Sequence, residues 1–394
     1  MMKNKIFAVI MAVFIGLIVF STSAWANDME FISEGNHIIP LEISDISIKK
    51  ERLELKKLDN YDMEVKVQFI FDSPSSGSRT IGFITPNDED NDPETSPRGK
   101  EYDPKDIKNF KTFVNGKSVK INIVKIDEFL NKGFFTKEVE KEYKEKYSRA
   151  YVYYFKADLK KGENTVEHSY SYEGIYAALN IRDYSYVLTT ISRWKNKKVD
   201  DFEMIVDMGD EFFVLPYTFW NDYRPINWEI VGEGRQTSQK EKYPNGGYLA
   251  RTFVKMKKGY VRYRAKDFSP DVEFYTYIPW ASVHLFNNPD NDPYAGDLPL
   301  NGYKFNDRLM RIGEKIDYRS EEAIKEAEKL SDFELEIIKN YPFAVRGHDF
   351  SRKDLKDYFS QFFWYIPKGK VHVDKREYER RTEIVNDILK KRRK

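Results

Sequence analysis

The sequence predicts an α+β chain: an antiparallel β-sandwich region of one or two domains, followed by a small all-α C-terminal domain. Three observations carry this. From Asn27 to about residue 290, apolar residues recur at every second position, as strands with one buried face require. Turn residues cut that stretch into many short segments, which argues for antiparallel sandwiches over alternating strand–helix units. After residue 300 the apolar spacing changes to three and four, the period of a helix face.

The alternation is clearest in Glu64–Phe71, where Val65, Val67, Phe69 and Phe71 share one face. Asn115-Gly116 between Phe110–Val114 and Lys117–Val124 reads as a hairpin with a primed two-residue turn. Further strands are expected at Ala150–Phe155, Thr165–Tyr172, Tyr184–Ile191, Phe202–Asp207, Leu249–Lys255, Tyr260–Ala265 and Asp271–Ile278. Thr136 can cap a helix in which Val139, Tyr143 and Tyr147 recur every four residues, a solvated connector between two β regions. In the C-terminal part, Ser331-Asp332-Phe333-Glu334 is a capping box, Ser351 is a second N-cap with Asp354 in the first turn, and Glu377–Leu389 is the last helix. Its basic end, Lys390 to Lys394, complements the helix dipole. The expected divisions are a signal peptide (1–26), a sandwich-like domain (27–125), the connecting helix (126–149), a second β-rich domain (150–300) and a helical domain (305–394).

The start of the chain sets its destination. Lys3 and Lys5 precede the apolar run Ile6–Phe20, and Ala24-Trp25-Ala26 places small residues three and one before a cut at Asn27. A membrane span needs about 20 apolar residues, and this run is shorter. The expectation is a cleaved signal peptide, no integral membrane segment after cleavage, and a periplasmic or extracellular protein. The 65 basic and 64 acidic residues balance to a net charge of +1, which gives no electrostatic footprint for nucleic acid. The absence of Cys removes disulfides, thiolate metal sites and thiol nucleophiles.

The last eighty residues resemble the YARHG domain, a small module at the ends of exported bacterial proteins. Leu335, Asn340, Phe343, Ala344, Gly347, Phe350, Leu355, Tyr358, Phe359, Trp364, Tyr365 and Pro367 keep that family's spacing. In its signature core, Phe343-Ala344-Val345-Arg346-Gly347-His348 departs from the family: Val345-Arg346 replaces the Arg-His pair, and His348 follows Gly347. Pro342 stands where the family continues a helix, so it should end or kink that helix. The resemblance implies an envelope-associated protein and carries no catalytic activity with it.

No catalytic residue, metal site or cofactor is expected. The five His show no metal-ligand spacing. His168 sits on the alternation face of Val166 and Tyr170, as a hydrogen-bonded core residue would, and His348 reads as a turn residue. The acidic loops at 88–94 and 290–297 supply oxygens at alternate positions, but Pro93 and Gly99 stand where an EF-hand loop needs Gly and Glu. Nucleophile and phosphate-cradle motifs are missing. Glycosidases need only two carboxylates about 5 to 10 Å apart, so a carboxylate-dependent hydrolase of envelope polysaccharide stays as the alternative function.

The preferred expectation is non-enzymatic: a binding or structural role at the envelope, with glycan or another envelope protein as partner. Its candidate ligand residues come from the aromatic-rich stretch Tyr217–Trp228: Trp220, Tyr223, Arg224 and Trp228, with Trp280 a possible addition. Rings of this kind either fill a core or stack on a sugar face. Pro225 and the mixed Asn and Asp favour a loop over a buried strand.

Overall fold

The computed structural model describes residues 34–36, 39–40, 45–84, 107–130, 151–177, 180–242, 248–279 and 308–393. The signal peptide, most of the connecting helix, both acidic loops, His37, His284 and Trp280 lie outside them. In chain order come β1 (Glu34–Asn36), β2 (Ile39–Pro40), β3 (Ser47–Lys57), β4 (Asp62–Ser73), β5 (Gly77–Ile84), β6 (Ile107–Val114), β7 (Lys117–Ser118), β8 (Asn122–Lys125) and the short α1 (Ile126–Leu130). They are followed by β9 (Tyr151–Leu159), β10 (Gly162–Glu173), β11 (Ile175–Ala177), β12 (Asn180–Val187), β13 (Val199–Asp207), β14 (Phe212–Pro216), β15 (Glu229–Lys242), β16 (Tyr248–Phe268) and β17 (Phe274–Pro279). The helices α2 (Arg308–Asp317), α3 (Glu321–Ala327), α4 (Asp332–Ala344), α5 (Lys353–Ser360) and α6 (Glu379–Arg392) close the chain.

Among the described residues the strands form a thirteen-stranded sheet and a four-stranded one, the latter ordered β2-β5-β9-β8. Their facing rings make the sandwich core: Phe83 of the small sheet stacks on Tyr170 of the large one at 5.9 Å, and Phe110 meets Tyr153 at 5.6 Å. Most pairings are antiparallel, but β13 lies parallel to β3, and β1 parallel to β12. β3 and β13 pair from Val199↔Ile48 to Asp207↔Lys56, so hydrogen bonds run between the two β regions that the sequence suggested separately.

Local sequence explains most of the elements. β4 buries Val65, Val67, Phe69 and Phe71 on one face, and its other face carries Glu64, Lys66 and Gln68. Asn115 (φ 50°) and Gly116 (φ 76°) both take positive φ, the primed turn that matches strand twist. The strand expected at Lys117–Val124 divides: β7 stays with β6, and β8 joins the small sheet beside β9. The two strands expected between Leu249 and Ala265 are one, because Gly259 (φ 99°) lets β16 pass close to β15 without a break. A Cβ there would collide with the Val231 carbonyl.

β14 lies between two cores. Phe213 and Leu215 face the sandwich, and Phe212 and Val214 face the helices. The helical end therefore does not pack on itself alone: Leu335, Phe359, Trp364 and Tyr365 share a core with Phe212, Val214, Phe253 and Tyr277 of the sheet. The capping box of α4 forms in both directions, Ser331 Oγ accepting from Glu334 N–H and the Glu334 carboxylate accepting from Ser331 N–H at 2.7 Å. Pro342 lies inside α4, two residues before its end at Ala344. Ser351 is not the cap of α5. Arg352 takes that position and pairs with Asp354, whose carboxylate also accepts from Leu355 N–H at 2.9 Å.

Candidate functional site

The loop joining β14 to β15 is anchored from below. Phe219 is fully buried, and Ile226 and Trp228 are nearly so. Phe219 meets both indoles edge-on at 6.1 Å, an arrangement that aromatic quadrupoles favour. The Trp228 indole donates to the Pro216 carbonyl at 2.9 Å, satisfying its buried N–H. Ile226 N–H closes the base of the loop on the Tyr217 carbonyl at 2.7 Å, and the Phe219 carbonyl accepts from Asp271 N–H at 2.8 Å. Trp228 is thus a support, and its ring is not presented to solvent.

The tip is a tight turn in which Tyr223 N–H reaches the Trp220 carbonyl at 3.0 Å. Tyr223 takes φ 57°, a left-handed conformation that side chains other than Gly seldom adopt. Asp222 accepts from Arg224 N–H and Asp271, between β16 and β17, from Asn221 N–H, both at 3.1 Å, so carboxylates inside and beside the loop hold its backbone.

Two cation–aromatic arrangements face outward. Trp220 is half-buried, its indole donating to the Ser269 carbonyl at 2.9 Å, and the Arg224 guanidinium lies 3.8 Å above its ring. Beside it, the Tyr223 and Tyr248 rings are 4.9 Å apart. The Lys240 ammonium lies over Tyr248 at 4.7 Å, Tyr223 at 5.3 Å and Tyr217 at 5.9 Å. Such contacts are worth about 0.5 to 1 kcal/mol each at exposed sites. Tyr263, beneath the loop, has its phenol pushed up to about 12 by burial, with the Arg224 charge opposing.

Of the four expected ligand residues, Trp220, Tyr223 and Arg224 come together at the surface, and Trp228 lies inside. Sequence reasoning missed Lys240 and Tyr248. The available signal was the turn composition Pro244-Asn245-Gly246-Gly247 just ahead of Tyr248 in the sequence; Tyr248 is the cross-strand partner of Lys242.

The other candidates have structural surroundings. His168 is buried, with Phe69 at 5.7 Å and Phe110 at 6.1 Å. In the helical end, Gly347 takes φ 81°, and a Cβ there would press on the Ile366 carbonyl. Arg346 donates to the Pro342 carbonyl at 2.9 Å, and the Tyr365 hydroxyl to the His348 carbonyl at 2.7 Å. Phe343 packs edge-on to His348, and Ala344 and Trp364 are buried, so these residues build a turn and its core.

Two further features stand apart from the loop. The open face of the large sheet holds a concavity of about 570 Å³ lined by Lys50, Arg52, Asp201, Glu203, Arg264 and Lys266. Its charges pair across strands, Arg52 with Glu203 and Lys266 with Asp201, both at 2.9 Å. Inside the helical end, Arg381 is 4% exposed, ion-paired with Asp317 and donating to the Ile338 carbonyl at 3.3 Å. Burial raises the neighbouring Glu314 carboxyl to about 7, against the pull of Arg381. Among the described residues no group of three His, Asp or Glu side chains is placed to hold a metal ion, and no helix is long and apolar enough to cross a membrane.

Residues 317–385 match the model of the YARHG domain, the module that the C-terminal residues resembled. No curated protein matches the chain. Among solved structures, the chain is similar to a candidate nutrient binding protein from Legionella pneumophila, at 17% identity and a TM-score of 0.49, covering 91% of this chain and 98% of that one. An aminopeptidase N family protein from Idiomarina loihiensis is similar at 10% identity and a TM-score of 0.25 over 59% of this chain. An M1 zinc metallopeptidase from Deinococcus radiodurans follows at 6% identity and a TM-score of 0.20, also over 59%. The chain spans 29% and 42% of the lengths of these two peptidases.

Proposed function

We propose that this chain is an exported, envelope-associated binding protein that holds a glycan at the loop Tyr217–Trp228 without transforming it. Export is supported by the charged, apolar and small-residue order of residues 1–26 and by the YARHG domain over residues 317–385. The observation that carries the glycan reading is the setting of Trp220. Its ring is fixed from beneath by Phe219 and Phe268, both edge-on, and by the Ser269 carbonyl, so little entropy remains to be lost on binding. Next to it, Tyr223, Tyr248 and the exposed Asn221 offer the mixture of ring faces and hydrogen-bonding groups that a sugar requires. A hydrolase would call for paired carboxylates with one raised. The raised carboxyl of Glu314 belongs to α2 in the helical end, next to Arg381 and Asp317, and not to this loop.

Titration calorimetry of the full chain with muropeptides and exopolysaccharide fragments tests the reading. Binding should be measurable for at least one of them and be weakened about tenfold or more by Trp220→Ala, which removes the ring that positions Arg224 beside Tyr223 and Tyr248. Equal affinity in the variant would overturn the site. Retention of only a protein from envelope extract, indifferent to Trp220, would overturn the glycan.

A further inference from the structure

We infer that the ligand of this loop is an acidic saccharide, its carboxylate or phosphate received by Arg224 and Lys240; this rests on the glycan reading and names its chemical class. The argument begins with how the two cations are held. Arg224 is stacked 3.8 Å over Trp220, and its side chain is still 56% exposed. An exposed guanidinium offers a planar fork of N–H donors that matches the two oxygens of a carboxylate or phosphate. The nearest carboxylate oxygen, on Asp222, is 4.0 Å from Nε and already accepts the Arg224 backbone N–H.

Lys240 is held similarly. Three tyrosine rings surround its ammonium, and its hydrogen bond goes to the Tyr223 carbonyl at 3.4 Å. Among the described residues no carboxylate lies within ion-pair distance of it. Aromatic faces position a cation without cancelling its charge. On the sheet face, by contrast, Arg262 is matched with Glu229 at 2.8 Å and Arg52 with Glu203 at 2.9 Å. Here two cations are oriented by rings, Arg224 on the turn that carries the half-exposed Trp220 and Tyr223, and Lys240 on β15 beside it. A neutral sugar would use the rings and leave both charges idle. An acidic one uses both.

The test uses the full chain and three polymers: polygalacturonate, its fully methyl-esterified form, and poly(glycerol phosphate). The esterified polymer keeps the sugar rings and removes the charge. Polygalacturonate should bind about tenfold or more tightly than the ester, as a charge-assisted bidentate contact allows. The preference should shrink as salt is raised. The double variant Arg224→Gln/Lys240→Gln, checked for the parent's unfolding midpoint, should lose the difference between acid and ester. Poly(glycerol phosphate) carries phosphate without a sugar ring, so its tighter binding would show an anion site and overturn the saccharide, whereas tighter binding of polygalacturonate assigns a carboxylate sugar. Equal binding of acid and ester, lost in Trp220→Ala, would overturn the acidic class and leave the glycan reading standing. An undiminished preference in the double variant would remove Arg224 and Lys240 from the site. Binding of none of the three would overturn the acidic class, and the glycan reading would fall only if the muropeptides and exopolysaccharide fragments also failed to bind.

Discussion

Lys368, in the segment after α5, donates to the carboxylate of Asp210 in the turn between β13 and β14. Lys255 of β16 approaches the same oxygen at 3.4 Å. One acidic residue of the sheet thus neutralises two lysines, one from the sheet and one from the helical end. Burial, and then the Lys368 charge, hold the Lys255 ammonium below its ordinary pKa. Asp210→Asn should leave two ammonium groups facing one another and cost about 1 to 3 kcal/mol, the penalty of an uncompensated charged partner. Adding Lys368→Met should restore part of that loss in chemical denaturation. If the double variant is no more stable than the single one, the junction is not held electrostatically.

Trp364 is 6% exposed and packs against Phe362, Tyr341 and Phe359. Trp364→Ala should cost about 3 to 5 kcal/mol. Because this core is shared with Phe212 and Val214, the effect should reach the sheet and appear in the main unfolding transition. An unchanged melting profile would place Trp364 at the surface.

Glu314 makes the helical end sensitive to pH. Its folded pKa, about 7, lies above the ordinary 4.5. Below about pH 4.5 both states are protonated and the group costs nothing. As pH rises toward 7 the unfolded chain ionises first, so stability falls, and above about 7 the cost is constant. From pH 5 to pH 8 the loss should be about 2.5 kcal/mol. Glu314→Gln should flatten that slope in urea melts taken across the range. A slope equal to the parent's would show that Glu314 ionises freely when folded.

Trp228 and Trp220 should separate stability from binding. Trp228 is 2% exposed, with its indole N–H bonded to Pro216, and Trp228→Ala should cost about 3 to 5 kcal/mol. Trp220→Ala should leave most of the stability intact and weaken the binding about tenfold or more. If both variants unfold alike, the outer ring is as structural as the inner one.

These two indoles also mark where the sequence was legible. Composition and Pro225 identified the loop, but nothing local tells an anchoring ring from a presented one. That depends on Phe219 and Tyr263, which Trp228 meets at 6.1 and 5.7 Å. Features settled within a few residues were readable: the alternation of β4, the Asn115-Gly116 turn, the Ser331–Glu334 box and the spacing of the helical module. Features settled by pairing over long distances were not. The parallel contact of β3 with β13 joins residues about 150 positions apart, and Lys240 meets Tyr217 only because β15 runs back along β16. Arg381 and Asp317 likewise come from helices that look like ordinary charged surfaces in the sequence.

Hydrogen–deuterium exchange of the full chain, with and without saturating polygalacturonate, tests the location of the site most directly. Protection should fall on residues 217–224 and on the strand segments around Lys240 and Tyr248, with the helical end from 308 to 393 unchanged. Protection confined to the helical end, or to the charged sheet face around Arg52 and Lys266, would contradict the account.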